Sequence, residues 1–286
     1  PFHSWVPEVY PAAPAPVTAV LAGVVKKVGV YGAIRVFGTL LNPLGGFFAD
    51  VILVIALAST LYGGWGGISR DDILDVLSYS SIAQVGFIFL GVAVGVNPAL
   101  PADVRVLGIT AALVYSLNHA LIKSMLFLIG GSISEIAFTT EFDALGGLAK
   151  RAPVVSYSFF VGAIALIGIP PLNGFFGKLL VFDAGARAGS ALVVGGALAG
   201  AVLTILYLSR TWMRAFWGEE GRATGMVGDS DITVVIPVVV LVVSIVLMGI
   251  LFDPVFEYAH GAAEAALDSG AYVDAVIESG AGGGQP

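Results

Sequence analysis

Apolar residues occur along the chain in long runs that are separated by short polar segments. A helix needs about 20 apolar residues to cross the roughly 30 Å hydrocarbon core of a bilayer, and seven runs are long enough. The alternating pattern of transmembrane β-strands is absent, so the spans are expected to be helices. The pattern therefore predicts an all-α, polytopic transmembrane helix bundle with about seven spans. The predicted spans cover about 17–38, 47–67, 73–96, 104–131, 153–186, 190–213 and 232–252.

The fifth run, at about 153–186, is longer than one crossing requires and carries Pro170, Pro171 and Gly174 near its middle. Each proline removes a backbone donor and clashes with the preceding helical turn. We therefore predict a broken helix. Irregular backbone at membrane depth is tolerated only where it is buried in protein or lines a water-filled cavity, and broken helices recur at the ion sites of transporters.

The two ends of the chain differ from its apolar centre. Five prolines within residues 1–16 favour extended or turn structure over a regular helix, and we interpret this segment as the end of a preceding helix. Residues 17–252 form the predicted transmembrane domain. Residues 253–286 are expected to be an acidic tail, for which an interfacial amphipathic helix is one interpretation.

Composition narrows the classes of function. Hydrophobic residues make up 57% of the chain and charged residues only 12%, whereas an ordinary soluble domain carries about 25% charged residues. This disfavours soluble enzymes, nucleic-acid binders and secreted disulfide modules. Because the chain has no cysteine and its three histidines are far apart, we expect no disulfide, iron–sulfur cluster or metal site. The glycines follow no predicted strand, so no nucleotide or other cofactor is expected.

The basic residues of the loops indicate an orientation. One side of the membrane collects six of them: Arg70, Lys150, Arg151, Arg210, Arg214 and Arg222. The other side collects Arg35, Arg105 and Arg187. We expect the protein to lie in the plasma membrane. The imbalance predicts that the first side faces the cytoplasm and that the C-terminal tail lies outside the cell. Residues 223–286 hold eight acidic and no basic side chains, which indicates either a solvated tail or a halophile.

Ionisable side chains at membrane depth indicate a functional or a paired role, since each costs at least about 2.5–3.5 kcal/mol to insert into the membrane. Lys26 and Lys27 lie near the middle of the first span. Neighbouring helical positions are about 100° apart, so only one of the two is expected to face a polar interior. Two interpretations stay open, a structural ion pair with a carboxylate on another helix or a role of one lysine in ion transport.

The fourth span carries His119 and Lys123 four residues apart, which places both on one helical face. Tyr115 and Asn118 add polar groups nearby. A histidine titrates near neutral pH, and a desolvated lysine becomes easier to deprotonate. This face could therefore take up and release protons, and a buried histidine that serves packing alone is the alternative.

Further polar side chains mark the third and fifth spans. Ser80, Ser81 and Gln84 of the third span are suited to hydrogen bonds between helices or to contact with water. Lys178 follows the predicted break in the fifth span. One interpretation is that Lys178 takes part in ion transport at the break. The alternative is that the proline kink serves packing alone.

Several motifs resemble, in the same order, the antiporter-like membrane subunits of proton-pumping NADH–quinone oxidoreductase (complex I) and of Mrp-type Na⁺/H⁺ antiporters. The resemblance covers about residues 1–218 and implies the second half of a larger fold of two inverted repeats, each with a broken helix. The segment Y-L-S-R-T-W-M-R-A-F-W-G-E-E is most similar to the D subunits of Mrp antiporters. The other motifs are P-F-H-S-W-V-P-E-V-Y, D-V-L-S-Y-S-S-I-A-Q-V-G, N-H-A-L-I-K-S-M-L-F-L, G-G-L-A-K-R-A-P and G-I-P-P-L-N-G-F-F-G-K.

This resemblance implies proton translocation along a mid-membrane file of Lys27, His119, Lys123 and Lys178, which match charged positions of the family's eighth, eleventh and broken twelfth helices. Lys26 is an additional neighbour of the matched lysine. The implied partners are other membrane subunits of an antiporter or complex I-like assembly, protons, Na⁺ and the lipid bilayer, without nucleic acid. A redox-driven pump in NADH–quinone oxidoreductase or a membrane-bound hydrogenase, without a redox site of its own, is the alternative.

Two departures from the family pattern bear on this interpretation. The family pairs a glutamate of its fifth helix with a lysine of its seventh, and both would lie upstream of Pro1. Residues 72–75 read D-I-L-D where family members often carry a basic pair. A truncated or split chain that acts only as a scaffold is therefore a second alternative.

Overall fold

The computed structural model describes residues 3–41, 44–228, 232–268 and 270. Apart from single turns at Leu148–Arg151 and Thr224–Met226, the regular elements of these residues are long or medium-length helices. In chain order they are α1 (Val6–Ala12), α2 (Ala15–Leu40), α3 (Gly45–Ile68), α4 (Ile73–Gly95), α5 (Ala102–Ala137), α6 (Pro153–Ile167), α7 (Asn173–Arg187), α8 (Ala191–Phe216), α9 (Ile232–Ile250) and α10 (Phe252–Leu267). In this part of the chain, α2, α3, α4, α5, α8 and α9 are long and apolar enough to cross a membrane. The prediction of an all-α polytopic bundle is confirmed.

The remaining predicted crossing consists of two shorter helices. α6 and α7 have 15 residues each, or about 22 Å, and neither alone reaches across a core of about 30 Å. Gly168 ends α6 in the left-handed region, with φ 94°. Pro170 and Pro171 follow in the break, joined by a cis peptide bond. The broken helix predicted at 153–186 is confirmed.

Close backbone contacts hold the bundle together. Gly174, in the first turn of α7, leaves no room for a β carbon because the carbonyl oxygen of Ala165 in α6 occupies that space. Gly91 of α4 and Gly108 of α5 meet in a similar way. Small residues allow membrane helices to approach this closely. α4 lies at the centre of the bundle, since 89% of its most apolar window is buried, compared with 17% for α9.

The expectation of extended or turn structure in residues 1–16 is wrong for the described part of that segment. α1 forms despite Pro7 and Pro11, and α2 begins at Ala15 despite Pro16. Pro7 and Pro16 fall in the first turn of their helices, where the missing donor has no intrahelical partner to lose. Pro11 lies inside α1, which ends one residue later at Ala12.

Two membrane helices differ from their predicted form. α2 contains two π-helical segments, Leu21–Val25 and Ile34–Leu40, and the first directly precedes the two lysines. Such segments occur mostly as single turns and frequently at functional sites. α5 runs for 36 residues to Ala137, beyond the predicted end of the fourth span at about 131, so Glu135 is helical.

Part of the predicted tail is a helix that packs along the bundle. In α10, the Nδ1 atom of His260 lies 3.3 Å from the hydroxyl of Thr110 in α5. The carbonyl of Ala266 accepts a hydrogen bond of 2.7 Å from Thr39 in α2. An interfacial position for α10 stays a prediction, and residues 271–286 lie outside the described residues.

Ion pairs join the loops at the end of the bundle where most loop arginines and lysines lie. Arg210 and Arg214, near the end of α8, both pair with Asp71, and Arg214 also contacts Asp143. Basic side chains from α8 therefore lie beside the D-I-L-D segment at 72–75, which has no basic pair of its own.

Candidate functional site

The first contact of the site joins α2 to α5. The Nζ atom of Lys27 lies 2.8 Å from Nδ1 of His119 and donates a 2.8 Å hydrogen bond to the carbonyl of Ala22. His119 is fully buried, and its Nε2 atom has no hydrogen-bond partner among the described residues. An amine and an imidazole can each hold the shared proton, so the geometry of this contact allows a proton to pass between them.

Lys123 continues the polar face of α5 one turn beyond His119. Its side chain is fully buried, and Nζ donates a 2.9 Å hydrogen bond to the carbonyl of Leu77 in α4. The ring of Phe127 lies 5.7 Å from the same nitrogen, close enough for a cation–π contact. Because Lys27 contacts His119, one helical turn from Lys123, a charge on either amine raises the free energy of a charge on the other.

Lys178 lies at the helix break. Its Nζ atom donates a 3.1 Å hydrogen bond to the carbonyl of Ile167, the last residue of α6. Carbonyl groups at a helix C-terminus lack intrahelical partners and carry partial negative charge, so they favour a cation. The break therefore supplies an acceptor that a continuous helix would not offer. The ring of Phe87 in α4 lies 5.0 Å from Nζ on another side.

A hydrogen-bonded cluster fills the space between α4, α5 and α8. Gln84 accepts a hydrogen bond from the Tyr115 hydroxyl and donates bonds of 2.9 Å to both Thr204 and Tyr207. Ser80 lies 2.8 Å from the hydroxyl of Tyr207. Thr204 and Tyr207 are not among the predicted site residues, although their spacing of three residues on one apolar span indicates a shared helical face.

The other predicted polar residues have local partners. Asn118 donates a 2.7 Å hydrogen bond to the backbone carbonyl of Asn173, the first residue of α7. Ser81 donates to the carbonyl of Leu77 in its own helix, at 3.0 Å. Asn118 therefore joins α5 to the helix break, whereas Ser81 makes no bond between helices through this contact.

The two neighbouring lysines of α2 point to different surroundings. Lys27 reaches His119, as described, whereas the Nζ atom of Lys26 lies over the ring of Tyr10 in α1, at 5.9 Å. The Nζ atom of Lys26 is buried and has no hydrogen-bond partner within the described part of the chain. Both amine groups are therefore buried, but among the described residues only that of Lys27 has polar partners, and the expectation that one of the two lysines faces a polar interior stays a prediction.

The site contains several amines without a matching carboxylate. Among the described residues, none of the ion pairs includes Lys26, Lys27, Lys123 or Lys178. This does not support the interpretation of a structural ion pair at Lys26 or Lys27. The same residues also contain no group of His, Asp or Glu side chains that could hold a metal ion. Because like charges in a poorly solvated site repel each other strongly, a charge on one of these amines makes a charge on a neighbouring amine less favourable.

The chain is similar to proteins of two kinds. It is 32% identical over 278 residues to the D subunit of the Na(+)/H(+) antiporter of Alkalihalophilus pseudofirmus. The aligned residues cover 97% of this chain and 55% of that protein. It is 34% identical over 229 residues to the NAD(P)H-quinone oxidoreductase chain 4 1 of Synechococcus sp. strain JA-3-3Ab. The aligned residues cover 77% of this chain and 41% of that protein.

A solved structure of the Mrp complex from Dietzia sp. DQ12-45-1b contains a chain of similar fold. The TM-score is 0.86 at 26% identity, over 96% of this chain and 57% of that chain. The chain thus spans about half the length of its relatives among the antiporter proteins and of this solved chain.

The family described as NADH:quinone oxidoreductase/Mrp antiporter, TM, matches residues 1–204. This stretch is more than half of the chain, and it contains Lys27, His119, Lys123 and Lys178. The chain therefore belongs to the NADH:quinone oxidoreductase/Mrp antiporter transmembrane family.

Proposed function

We propose that the protein translocates protons as a membrane subunit of a multisubunit Na⁺/H⁺ antiporter. The observation that carries this proposal is the 2.8 Å contact between Lys27 and His119, inside a buried group of amines with no carboxylate partner among the described residues. The similarity to a protein named as the D subunit of a Na(+)/H(+) antiporter supports the same function.

The first step of the proposed proton transfer takes place at the contact between Lys27 and His119. A proton that reaches the neutral amine of Lys27 makes an ammonium group. The proton then passes along the hydrogen bond to Nδ1 of His119, which leaves a neutral amine and an imidazolium. The imidazolium releases the proton on Nε2 toward the neutral amine of Lys123, so that one proton enters and one leaves. The neutral imidazole is then protonated on Nδ1, and it must move this proton back to Nε2 before the next transfer.

Repulsion between neighbouring charges couples the uptake of a proton at one end of the file to the release of a proton at the other. A charge on Lys27 raises the free energy of a charge on Lys123, because both lie in surroundings of low dielectric constant. Lys178 stands at the other end, where the carbonyl of Ile167 stabilises an ammonium group. Proton arrival at one end therefore favours proton release at the other.

We also propose the surroundings in which this file works. The partners are other membrane subunits of the same assembly, together with protons, Na⁺ and lipid. The similarity to a chain of the Mrp complex supports such an assembly. The protein lies in the plasma membrane as a multi-pass subunit, with the end that carries Arg70 and Lys150 in the cytoplasm and the C-terminal tail outside.

A redox-driven pump is the second candidate function. It is favoured by the 34% identity to a protein named NAD(P)H-quinone oxidoreductase chain 4 1. The chain would then be part of a quinone oxidoreductase without a redox site of its own. A scaffold that carries no protons is the third candidate, and the same experiment separates all three.

The test uses inverted membrane vesicles that contain the whole complex and a fluorescent reporter of internal pH. Addition of Na⁺ without NADH should release protons from acid-loaded vesicles for wild type and for Lys150→Ala, which removes an exposed lysine. Lys178→Ala should assemble, as judged on native gels, but lose this response. Proton movement that requires NADH would favour the redox-driven pump. A normal Na⁺ response in assembled Lys178→Ala complexes would favour the scaffold.

A further inference from the structure

Two pockets meet at the side chain of Tyr10. The first, which we call the vestibule, has a volume of about 200 Å³ and is lined by Tyr10, Thr18, Leu74, Ser134 and Glu135 among others. It lies where α1, α2, α4 and α5 have their ends. Ser134 and Glu135 are exposed at its mouth, so that solvent reaches this pocket.

The second pocket, which we call the lysine pocket, also touches Tyr10 and is lined by Lys26. Its volume is about 160 Å³, and its polar lining consists of His3, Tyr10, Lys26, Ser59 and Ser81. This is room for several water molecules, which need two to four polar partners each. The hydroxyl and amine groups of the lining could supply those partners.

Two buried polar atoms of this region lack a hydrogen-bond partner among the described residues, the hydroxyl of Tyr10 and Nζ of Lys26. Leaving a buried polar group unsatisfied costs about 1–3 kcal/mol, and more for a charged group. Both residues line a pocket, and Tyr10 lines both pockets. Both polar atoms are covered in this conformation, so a movement of the side chain would bring each of them into contact with water in the adjoining pocket.

The ring of Tyr10 separates the two pockets. Only 1% of this residue is exposed, and its ring meets Trp5 and Phe127 edge-on, with centroids 5.6 and 5.4 Å away. Thr18 donates a 3.0 Å hydrogen bond to the backbone carbonyl of Tyr10. Tyr10 thus forms a partition that carries one hydroxyl group.

The lysine pocket is next to the proposed proton file along the chain. Lys26 lines the pocket and directly precedes Lys27, which contacts His119. None of the steps proposed above for proton transfer uses this lysine.

We infer that Tyr10 and Lys26 form a proton entrance between the vestibule and Lys27, through which protons pass in either direction. This inference rests on the proposed function. The Tyr10 hydroxyl takes a proton from a hydronium ion on one side of the partition as it passes its own proton to water on the other side, so the tyrosine ends neutral. The amine of Lys26 carries the proton between water in the lysine pocket and the neutral amine of Lys27. Glu135 attracts cations to the mouth.

Substitutions at the partition test this entrance. In the vesicle assay, Tyr10→Phe keeps the ring and removes the hydroxyl, and Lys26→Met keeps most of the side-chain volume and removes the amine. We expect each to slow Na⁺-driven proton movement at least about tenfold. This is less than the 10²–10⁴-fold effect of a positioned general acid, because pocket water can partly replace a missing group. Tyr258→Phe, at a tyrosine that is 84% exposed, is the matched control and should keep the wild-type rate.

Lys178→Ala in the same series separates the entrance from the proposed function. If Lys178→Ala loses proton movement while Tyr10→Phe and Lys26→Met keep it, the entrance is wrong and the proposed function stands. If all three keep it, both are wrong. Native gels identify any variant that fails to assemble.

Labelling gives a second test that needs no buried substitution. The chain has no cysteine, so Ser134→Cys introduces a single reactive thiol at the vestibule. A membrane-impermeant thiol reagent added to inverted vesicles should modify this chain and slow proton movement. An unlabelled thiol, or a labelled chain with an unchanged rate, would overturn the entrance.

Discussion

The close contact at Gly174 leads to a sharp prediction for Gly174→Ala. The added β carbon would overlap the carbonyl oxygen of Ala165, with the carbonyl carbon 2.8 Å away. Overpacking of flexible side chains costs about 1–3 kcal/mol. Here the obstacle is backbone, which cannot rotate away, so we expect a loss of about 3 kcal/mol, the upper end of that range. The two halves of the broken helix must then separate.

This separation should affect stability and transport together. For a chain of this size, 1 kcal/mol shifts the melting temperature by about 2–4 °C, so about 3 kcal/mol predicts a decrease of roughly 6–12 °C. Lys178 lies one turn beyond Gly174, and its 3.1 Å bond to Ile167 crosses the same contact. Proton movement should therefore fall as well.

Thermal unfolding of the detergent-solubilised complex, followed by the loss of this chain from the soluble fraction, measures the change. Gly195→Ala in α8 is the matched control, since no atom lies within 4 Å of a β carbon added there. Alanine favours a helix over glycine by about 1 kcal/mol, so the control should melt at or above the wild-type temperature. Equal melting temperatures for the two variants would refute the contact at the break.

Three further predictions concern the hydrogen-bonded cluster and the loop ion pairs. Gln84→Leu leaves the Tyr115 hydroxyl without its acceptor and should cost about 1–3 kcal/mol, seen as a lower melting temperature that Tyr115→Phe in the same chain partly restores. Asp71→Asn removes exposed ion pairs worth at most about 1 kcal/mol, so melting and proton movement should change little. The hydrogen bond from Arg151 holds the pKa of Glu220 below its ordinary value, so this pair stabilises the fold at neutral pH and stops doing so as the pH falls through that lowered pKa. Glu220→Gln should therefore lower the melting temperature slightly at neutral pH and leave it unchanged in acid, and a uniform effect at every pH would contradict this account.

The hydrophobic pattern predicted most of the fold because membrane-crossing helices must satisfy their backbone internally and be apolar along their length. The proline pair at 170–171 predicted the broken helix because each proline removes a backbone donor that a continuous helix needs. The expectation for residues 1–16 failed because it counted prolines without their positions. Pro7 and Pro16 lie in first turns, where proline is tolerated.

The helix α10 was not predicted within the bundle because its composition resembles that of a solvated tail. Glu257 and Glu264 are exposed, whereas Ala259 and Ala263 are buried. Alanine carries little hydrophobic signal, and its small size is what allows α10 to pack closely on a neighbouring helix. Local sequence therefore gave no sign of this contact.

The candidate site could be predicted only within single helices. The spacing of His119 and Lys123 placed both on one face of α5, and both are buried. The contact between Lys27 and His119 joins residues that are 92 positions apart, so it depends on how α2 packs against α5. Thr204 escaped prediction because an isolated threonine in an apolar span commonly bonds its own backbone.

The central claim is that Lys27 and His119 act together on one proton. Its most direct test is the initial rate of Na⁺-driven proton movement for Lys27→Met, His119→Leu and the double variant, beside wild type and Lys150→Ala. Groups that work as a unit give strongly non-additive losses. The account predicts that each single variant loses nearly as much as the double variant, with normal assembly. Single variants that retain most of the wild-type rate, or losses that multiply independently, would contradict it.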